Sequence, residues 1–306
     1  MAGSVIAALV SALAAGTTIS SAGIAFFGTT AAATAAGATA AYIGGSFLSH
    51  LLISTALGAA MNALAPKPTA PVSGGYVGNS VGASLDRQII YGETKVGGAI
   101  VFQGVTHEYS RSRLQRVIAI AGHEIESFED IYINEDRVTQ IGEDGNVIEV
   151  ETPDGELSAR YKDWMHIWYK LGTEDQTAFS QLVADYENEG TNLWTEDHRL
   201  RGIAAIYYRA DFNQDRFPNG APTVTAVVRG KKVYDPRTGT TEWTDNAALC
   251  NADYITSSYG LNEDSGAVNW DKVAVAADVC DQTDTPGGEK RYTMNGAFFP
   301  SSSPYE

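Results

Sequence analysis

Hydrophobic and polar positions divide the chain into stretches of different period. Residues 4–27 and 46–65 are long apolar runs diluted by Ala, Gly, Ser and Thr, and the Ala/Thr/Gly-rich residues between them carry no charge. Each run has about the 20 residues that a membrane-crossing helix needs. The density of small residues would also let helices pack closely, in lipid or inside a protein channel. Residues 66–84 are rich in Pro, Gly and Ser and read as a linker, with Pro66 and Pro68 ending any preceding helix. From Asp86 the pattern turns to strands. Residues 87–105 predict two short strands around a Gly-containing turn, and 114–139 predict two or three more. Val117–Ala121 is apolar at every position, as in a strand buried on both faces, whereas Ile131 and Ile133 alternate with Tyr132.

Residues 174–190 predict one helix. Glu174 and Asp175 should open it, Gly190 should close it, and Ala178, Leu182, Val183 and Tyr186 fall on one face. Strand character resumes at 200–212 and 222–235. Two helices are expected at 246–260 and 271–282, then a strand at 289–299. The predicted class is α+β, mainly β, with an inserted mixed subdomain, behind an apolar Ala/Gly-rich helical N-terminal segment. Its parts are a helical segment 1–66, a linker 67–85, a first β-rich part 86–150, an inserted subdomain with a helix 151–200, and a mixed continuation 201–306. The chain stops abruptly after a predicted strand, which reads as part of something longer.

Charge sharpens this division. Residues 1–66 contain no Asp, Glu, Lys or Arg, and the first charge is Lys67. No basic stretch precedes the apolar run, so it does not read as a cleavable signal peptide, and the flanking charge that fixes a permanent anchor is nearly absent. The whole chain of 306 residues carries 37 acidic against 21 basic residues, a net charge of −16. A nucleic-acid binder needs clustered Lys and Arg, so stable nucleic-acid binding is not expected.

Candidate chemistry fails at required positions. His123-Glu124 would need a second His four residues on for a zinc-protease motif, and that residue is Ser127. His198 follows Glu196 and Asp197 without a partner at ligand spacing. Asp211, Asn213 and Asp215 open like a calcium loop, but Arg216 and Pro222 stand where Gly and Glu are required. Cys250 and Cys280 match no zinc spacing, and their pairing depends on the fold. There is no phosphate-binding glycine loop. The sequence therefore points to no catalytic, cofactor-binding or metal residue, and to no enzyme.

Three stretches carry a resemblance: RQIIYGETKVGGAIVF (87–102), RVIAIAGHEIESFEDIYINEDRV (116–138) and, most specific, DRFPNGAPTVTAVVRGKKVYDPRTGTTEWTDNAALCNADYI (215–255). Together they resemble the phage tail tip protein J family, the host-specificity or central tail hub proteins of long-tailed phages. The likeness implies a homotrimeric hub at the distal end of the virion tail. It would close the tail tube and take part in host attachment and DNA ejection. The implied partners are the distal tail tube protein, the C-terminus of the tape measure protein and other tail tip proteins. The apolar N-terminus would serve as a lumen plug or meet the host membrane during ejection. It also implies a longer chain with C-terminal receptor-binding modules. The alternatives are a membrane-anchored binding protein and a tail-associated cell-wall hydrolase.

Overall fold

The computed structural model describes residues 75–76, 78–81, 85–108, 111–283 and 288–300. The helices expected within 1–66 lie outside the described residues. The described part is mainly β, with three α-helices.

A five-stranded sheet has the order β1 (Asn79–Ser80), β4 (Gly98–Glu108), β5 (Arg111–Ala121), β11 (Ala204–Asp211), β10 (Met165–Lys170). A six-stranded sheet has the order β3 (Glu93–Val96), β12 (Val224–Arg229), β6 (Ser127–Ile133), β7 (Asp136–Ile141), β8 (Val147–Glu151), β9 (Leu157–Ser158). The remaining strands pair as β2 (Ile89–Tyr91) with β15 (Gly296–Phe298), and β13 (Lys232–Asp235) with β14 (Thr240–Trp243). Except for parallel β1–β4, all these pairings are antiparallel.

The two large sheets pack face to face. Ile118, Ile120, Ile206, Tyr208 and Ile167 of one meet Val96, Ile131, Ile133, Val150, Val224 and Val228 of the other in the main core. The opposite face of the five-stranded sheet is covered by helix α1 (Ser180–Asn188), against which Val117, Ala205 and Tyr207 pack. Double coverage explains why Val117–Ala121 of β5 and Ala204–Tyr208 of β11 read as continuous apolar runs. Leu182, Val183 and Tyr186 are the buried face of α1, and Ala178 just before it joins the same cluster, as their spacing predicts. A third core holds Ile89, Tyr91, Val233, Leu249, Cys250 and Ala277. It lies among β2, β13 and the helices α2 (Ala247–Thr256) and α3 (Trp270–Cys280).

The structure differs from the expectations at four places. Residues 87–105 form parts of three strands, because Gly92, at φ +63°, and then Gly97 interrupt the run. An added Cβ at Gly97 would lie 2.1 Å from the Gly78 carbonyl oxygen, so glycine is required there. Helix α1 begins at Ser180 and has no acidic residue in its first turn. Glu174 and Asp175 sit in a preceding turn, where Gln176 takes the local backbone groups instead. Residues 151–200 contribute β9 and β10 to the two large sheets as well as α1. Finally, the Pro/Gly/Ser-rich stretch holds a strand. The Tyr76 and Gly78 carbonyls accept from Gly97 N–H (2.5 Å) and Gly98 N–H (3.1 Å). The Asn79 amide exchanges two hydrogen bonds with the Val224 backbone across to the other sheet (2.7 and 2.8 Å).

Ile118 is fully buried between the sheets, and Val275 on α3 is 63% exposed. Truncating Ile118 to Ala should therefore lower unfolding free energy by about 2–5 kcal/mol, and Val275→Ala by less than about 0.5 kcal/mol, read from urea denaturation midpoints. Equal losses would mean that the two-sheet core is not where the stability resides.

Candidate functional site

Within the most specific stretch of the sequence, 215–255, Arg229 to Asn246 form one continuous structural unit between the sandwich and the C-terminal helices. At its start the Arg229 guanidinium lies 3.0 Å from Glu93 and 3.5 Å from Glu129, and stacks over Trp243 at 4.8 Å. Gly230 then passes directly over β2. Its N–H donates to Gly92 O (2.7 Å), the Lys231 N–H donates to Ile90 O (2.8 Å), and an added Cβ would lie 2.2 Å from that same oxygen. The side chain of any other residue would force the strands apart.

The two lysines diverge. Lys232 pairs with Glu124 (3.1 Å) and Glu126 (3.4 Å). Lys231 turns inward and donates to both Asp253 oxygens (2.9 and 2.8 Å), to Tyr259 Oη (2.8 Å) and to Ser257 Oγ (3.3 Å). Tyr91 Oη also donates to Asp253. Burial lowers the Lys231 pKa, but its bonds to Asp253 and Tyr259 outweigh this and hold it above the ordinary lysine value. Burial and then the Asp253 charge push both Tyr91 and Tyr259 upward.

Farther along, Asp235 receives the Arg237 N–H (2.9 Å) and guanidinium (2.7 Å), which outweigh burial and hold its carboxyl below the usual range. Gly239 closes the β13–β14 turn at φ +75°. Arg237 also reaches Asp278 (3.0 Å) and Asp281 (2.9 Å) on and just after α3, and Lys290 links Asp281 (3.2 Å) to Asp245 (2.8 Å). Asn246, fully buried, caps α2 by accepting from Ala248 and Leu249 N–H, and donates to Ala277 O on α3 (2.9 Å). Upstream, the Phe217 ring stacks on Tyr161 at 5.7 Å, and Pro222 O accepts from Tyr208 Oη (3.0 Å).

The sequence-level candidates are scattered. His123 is fixed between backbone groups: its Nε2 accepts from Ile90 N–H (2.9 Å), and its Nδ1 lies 2.7 Å from Glu124 O. Burial pushes its pKa down to about 4, so the ring is neutral and Nδ1 carries the proton. His198 is exposed, stacks on Trp194 at 4.8 Å, and accepts from Thr195 N–H (3.0 Å). Asp211 is buried and paired with Arg113 (3.2 Å) and Arg111 (3.6 Å). Asn213 instead caps its own turn, accepting from Asp215 and Arg216 N–H. Cys250 and Cys280 are both buried and free, and burial pushes the Cys250 thiol up to about 12.

Sequence reasoning did not find the Lys231–Asp253–Tyr91–Tyr259 cluster. Tyr91, Lys231 and Asp253 all lie in the resembling stretches, but Tyr91 and Asp253 stand 162 residues apart and nothing in the sequence links them. Chemically the cluster holds fixed charges. A general acid or base works best with a pKa near the operating pH, and here Lys231 and both tyrosines are driven farther above neutrality.

No known protein family matches the chain, and no curated protein matches it. Among solved structures it is similar to a chain of the virion of a native gene transfer agent (GTA) particle, with 17% identity and a TM-score of 0.35. The match covers 60% of this chain and 39% of that one, so this chain spans well under half of its neighbour. Likeness at that level carries no argument about function.

His123 makes a pH-dependent contribution that can be measured. Its folded pKa lies below the ordinary value of 6.5, so the contribution is complete above about pH 6.5 and is lost as pH falls toward 4. Between pH 7 and 4.5 the protein should lose roughly 1–2 kcal/mol more stability than its His123→Gln variant, allowing for partial solvent access. Parallel urea curves at both pH values would show no such coupling. Gly230→Ala should cost more than about 2 kcal/mol in the same measurement, because the clash is with backbone.

Proposed function

We propose that this chain is a structural component of a bacteriophage virion. More finely, we read it as part of the central hub at the distal end of the tail, acting without catalysis. One observation carries the reading: the residues that resemble the tail tip protein J family at 229–246 are spent on joining pieces of the protein to each other. Arg229, Gly230, Lys231, Arg237 and Asn246 each bond to an element distant in sequence. A motif used this way keeps a shape, which is what a scaffold requires of its sequence.

On this reading the protein assembles as a homotrimer. It meets the distal tail tube protein, the tape measure protein C-terminus and other tail tip proteins, and residues 1–66 plug the lumen or meet the host membrane during ejection. The charge distribution supports free passage of DNA over retention. Residues 124–156, spanning β6 to β8, hold twelve acidic residues and a single basic one, Arg137. Such a surface repels phosphate.

Mass measurement of the full chain in mild detergent, with imaging of tail tips that carry a tag on it, tests both levels. A threefold complex at the tail end is expected. A monomer, or a label along the tail shaft, would overturn the hub reading and leave only a structural protein. A gel-shift titration with duplex DNA at physiological salt should show no retained complex.

A further inference from the structure

The joint between the sandwich and the C-terminal helices contains one contact that works in a single protonation state. The Ile90 N–H of β2 donates to His123 Nε2 (2.9 Å), and His123 Nδ1 spends its proton on Glu124 O (2.7 Å). The ring can accept from Ile90 only while it is neutral. A second proton goes onto Nε2, and two donors then face each other across the same gap.

Neither side of this contact has room to give. The His123 loop is pinned from behind, where Ile125 N–H donates to Leu171 O (2.9 Å) and an added Cβ on Gly172 would come within 2.9 Å of the His123 carbonyl oxygen. On the other side, Ile90 O accepts from Lys231 N–H (2.8 Å), and a Cβ on Gly230 would lie 2.2 Å from that oxygen. A shift of Ile90 is therefore passed to Gly230 and Lys231. The Lys231 amine holds Asp253 of α2 at 2.9 and 2.8 Å, and Tyr91, next to Ile90, donates to the same carboxylate.

The charges around the ring work in the same direction. Lys231 from the Gly230 turn and Asp253 from α2 both act on it. On its own loop Glu124 is tied to Lys232 (3.1 Å), and Arg87, ahead of β2, lies against the neighbouring Gly122. An imidazolium is repelled by Lys231 and attracted by Asp253, so it pulls the Lys231–Asp253 pair apart.

We propose that His123 is an acid-operated latch between the sandwich and the C-terminal module. Its protonation releases β2 from the His123 loop and loosens the Lys231–Asp253 fastening, so that α2 and α3 open while the two-sheet core stays closed. The latch is shut above about pH 6.5 and opens progressively as pH falls toward 4.

Both cysteines of the chain, Cys250 and Cys280, are buried in this module, on α2 and at the end of α3, so their labelling reads its opening. In the full chain in mild detergent, a dipyridyl disulfide should label them faster as pH falls, relative to a free cysteine peptide at the same pH. The expected rise is about threefold from pH 7 to 5.5 and about tenfold from pH 7 to 4.5. Low urea should hardly change it, because a local opening exposes little surface. In the His123→Gln variant, which keeps a neutral acceptor, the relative rate should not depend on pH. The module's carboxylates, among them Asp245 and Asp278, remain in that variant, so a rise that persists there overturns the latch. A rise that steepens with urea as global unfolding does also overturns it, because the whole chain then opens at once. A parent protein with no rise at pH 5.5 and 4.5 overturns it without recourse to any variant.

Discussion

Three residues, Ile89–Tyr91, belong to two cores at once, and the arrangement of the rest depends on that sharing. Ile90 points into the core between the two large sheets, while Ile89 and Tyr91 point into the core formed with the C-terminal helices. The alternation of a strand makes this possible in three residues. It also means that the backbone of β2 must be satisfied on every side without space for side chains. Ile90 N–H goes to His123, Ile90 O to Lys231 N–H, and β15 pairs along the strand in antiparallel register. Gly230 is glycine because β2 occupies the volume where its side chain would be.

From that constraint the polar interior follows. Irregular segments brought against buried strands carry backbone groups that need partners, and a few side chains supply them. Gln88, 2% exposed, accepts from Tyr76 N–H and donates to Gly97 O and Ile120 O. Gln176 does the same for the chain around Gly172 and Arg199. Lys231 and Asp253 fasten the C-terminal module beside β2. Buried pairs of this kind add little net stability over apolar packing, but they penalise every arrangement that separates them. A protein built in this manner holds one relative placement of its modules, which suits the proposed place in an assembly where neighbours read its surface.

Much of this was legible in the sequence where a single element decides the pattern. Val117–Ala121 announced its two covered faces, and the α1 positions Leu182, Val183 and Tyr186 gave their stripe. Helix α2 and strand β15 fall within the segments that predicted them, and helix α3 begins one residue before its segment. What escaped depends on contacts between distant segments. Nothing near Asn79 signals a strand, because its pairing is imposed by Gly97, Gly98 and Val224. The acidic pair Glu174-Asp175 resembled a helix start, but the chain needed Gln176 for backbone groups before it could turn helical. The charged cluster around Asp253 draws on β2, the Gly230 turn and the end of α2, so no window of sequence contains it.

Asn79 gives the N-terminal edge of the sandwich a mechanical property. Its side chain bonds the Val224 backbone in one sheet, while the backbone around it bonds β4 in the other. A pull directed along β1 loads these bonds together, in shear, and spreads the tension across both sheets. A pull directed outward would open them one at a time. The stretch that reads as slack linker therefore ends in an anchor whose strength depends on the direction from which it is drawn.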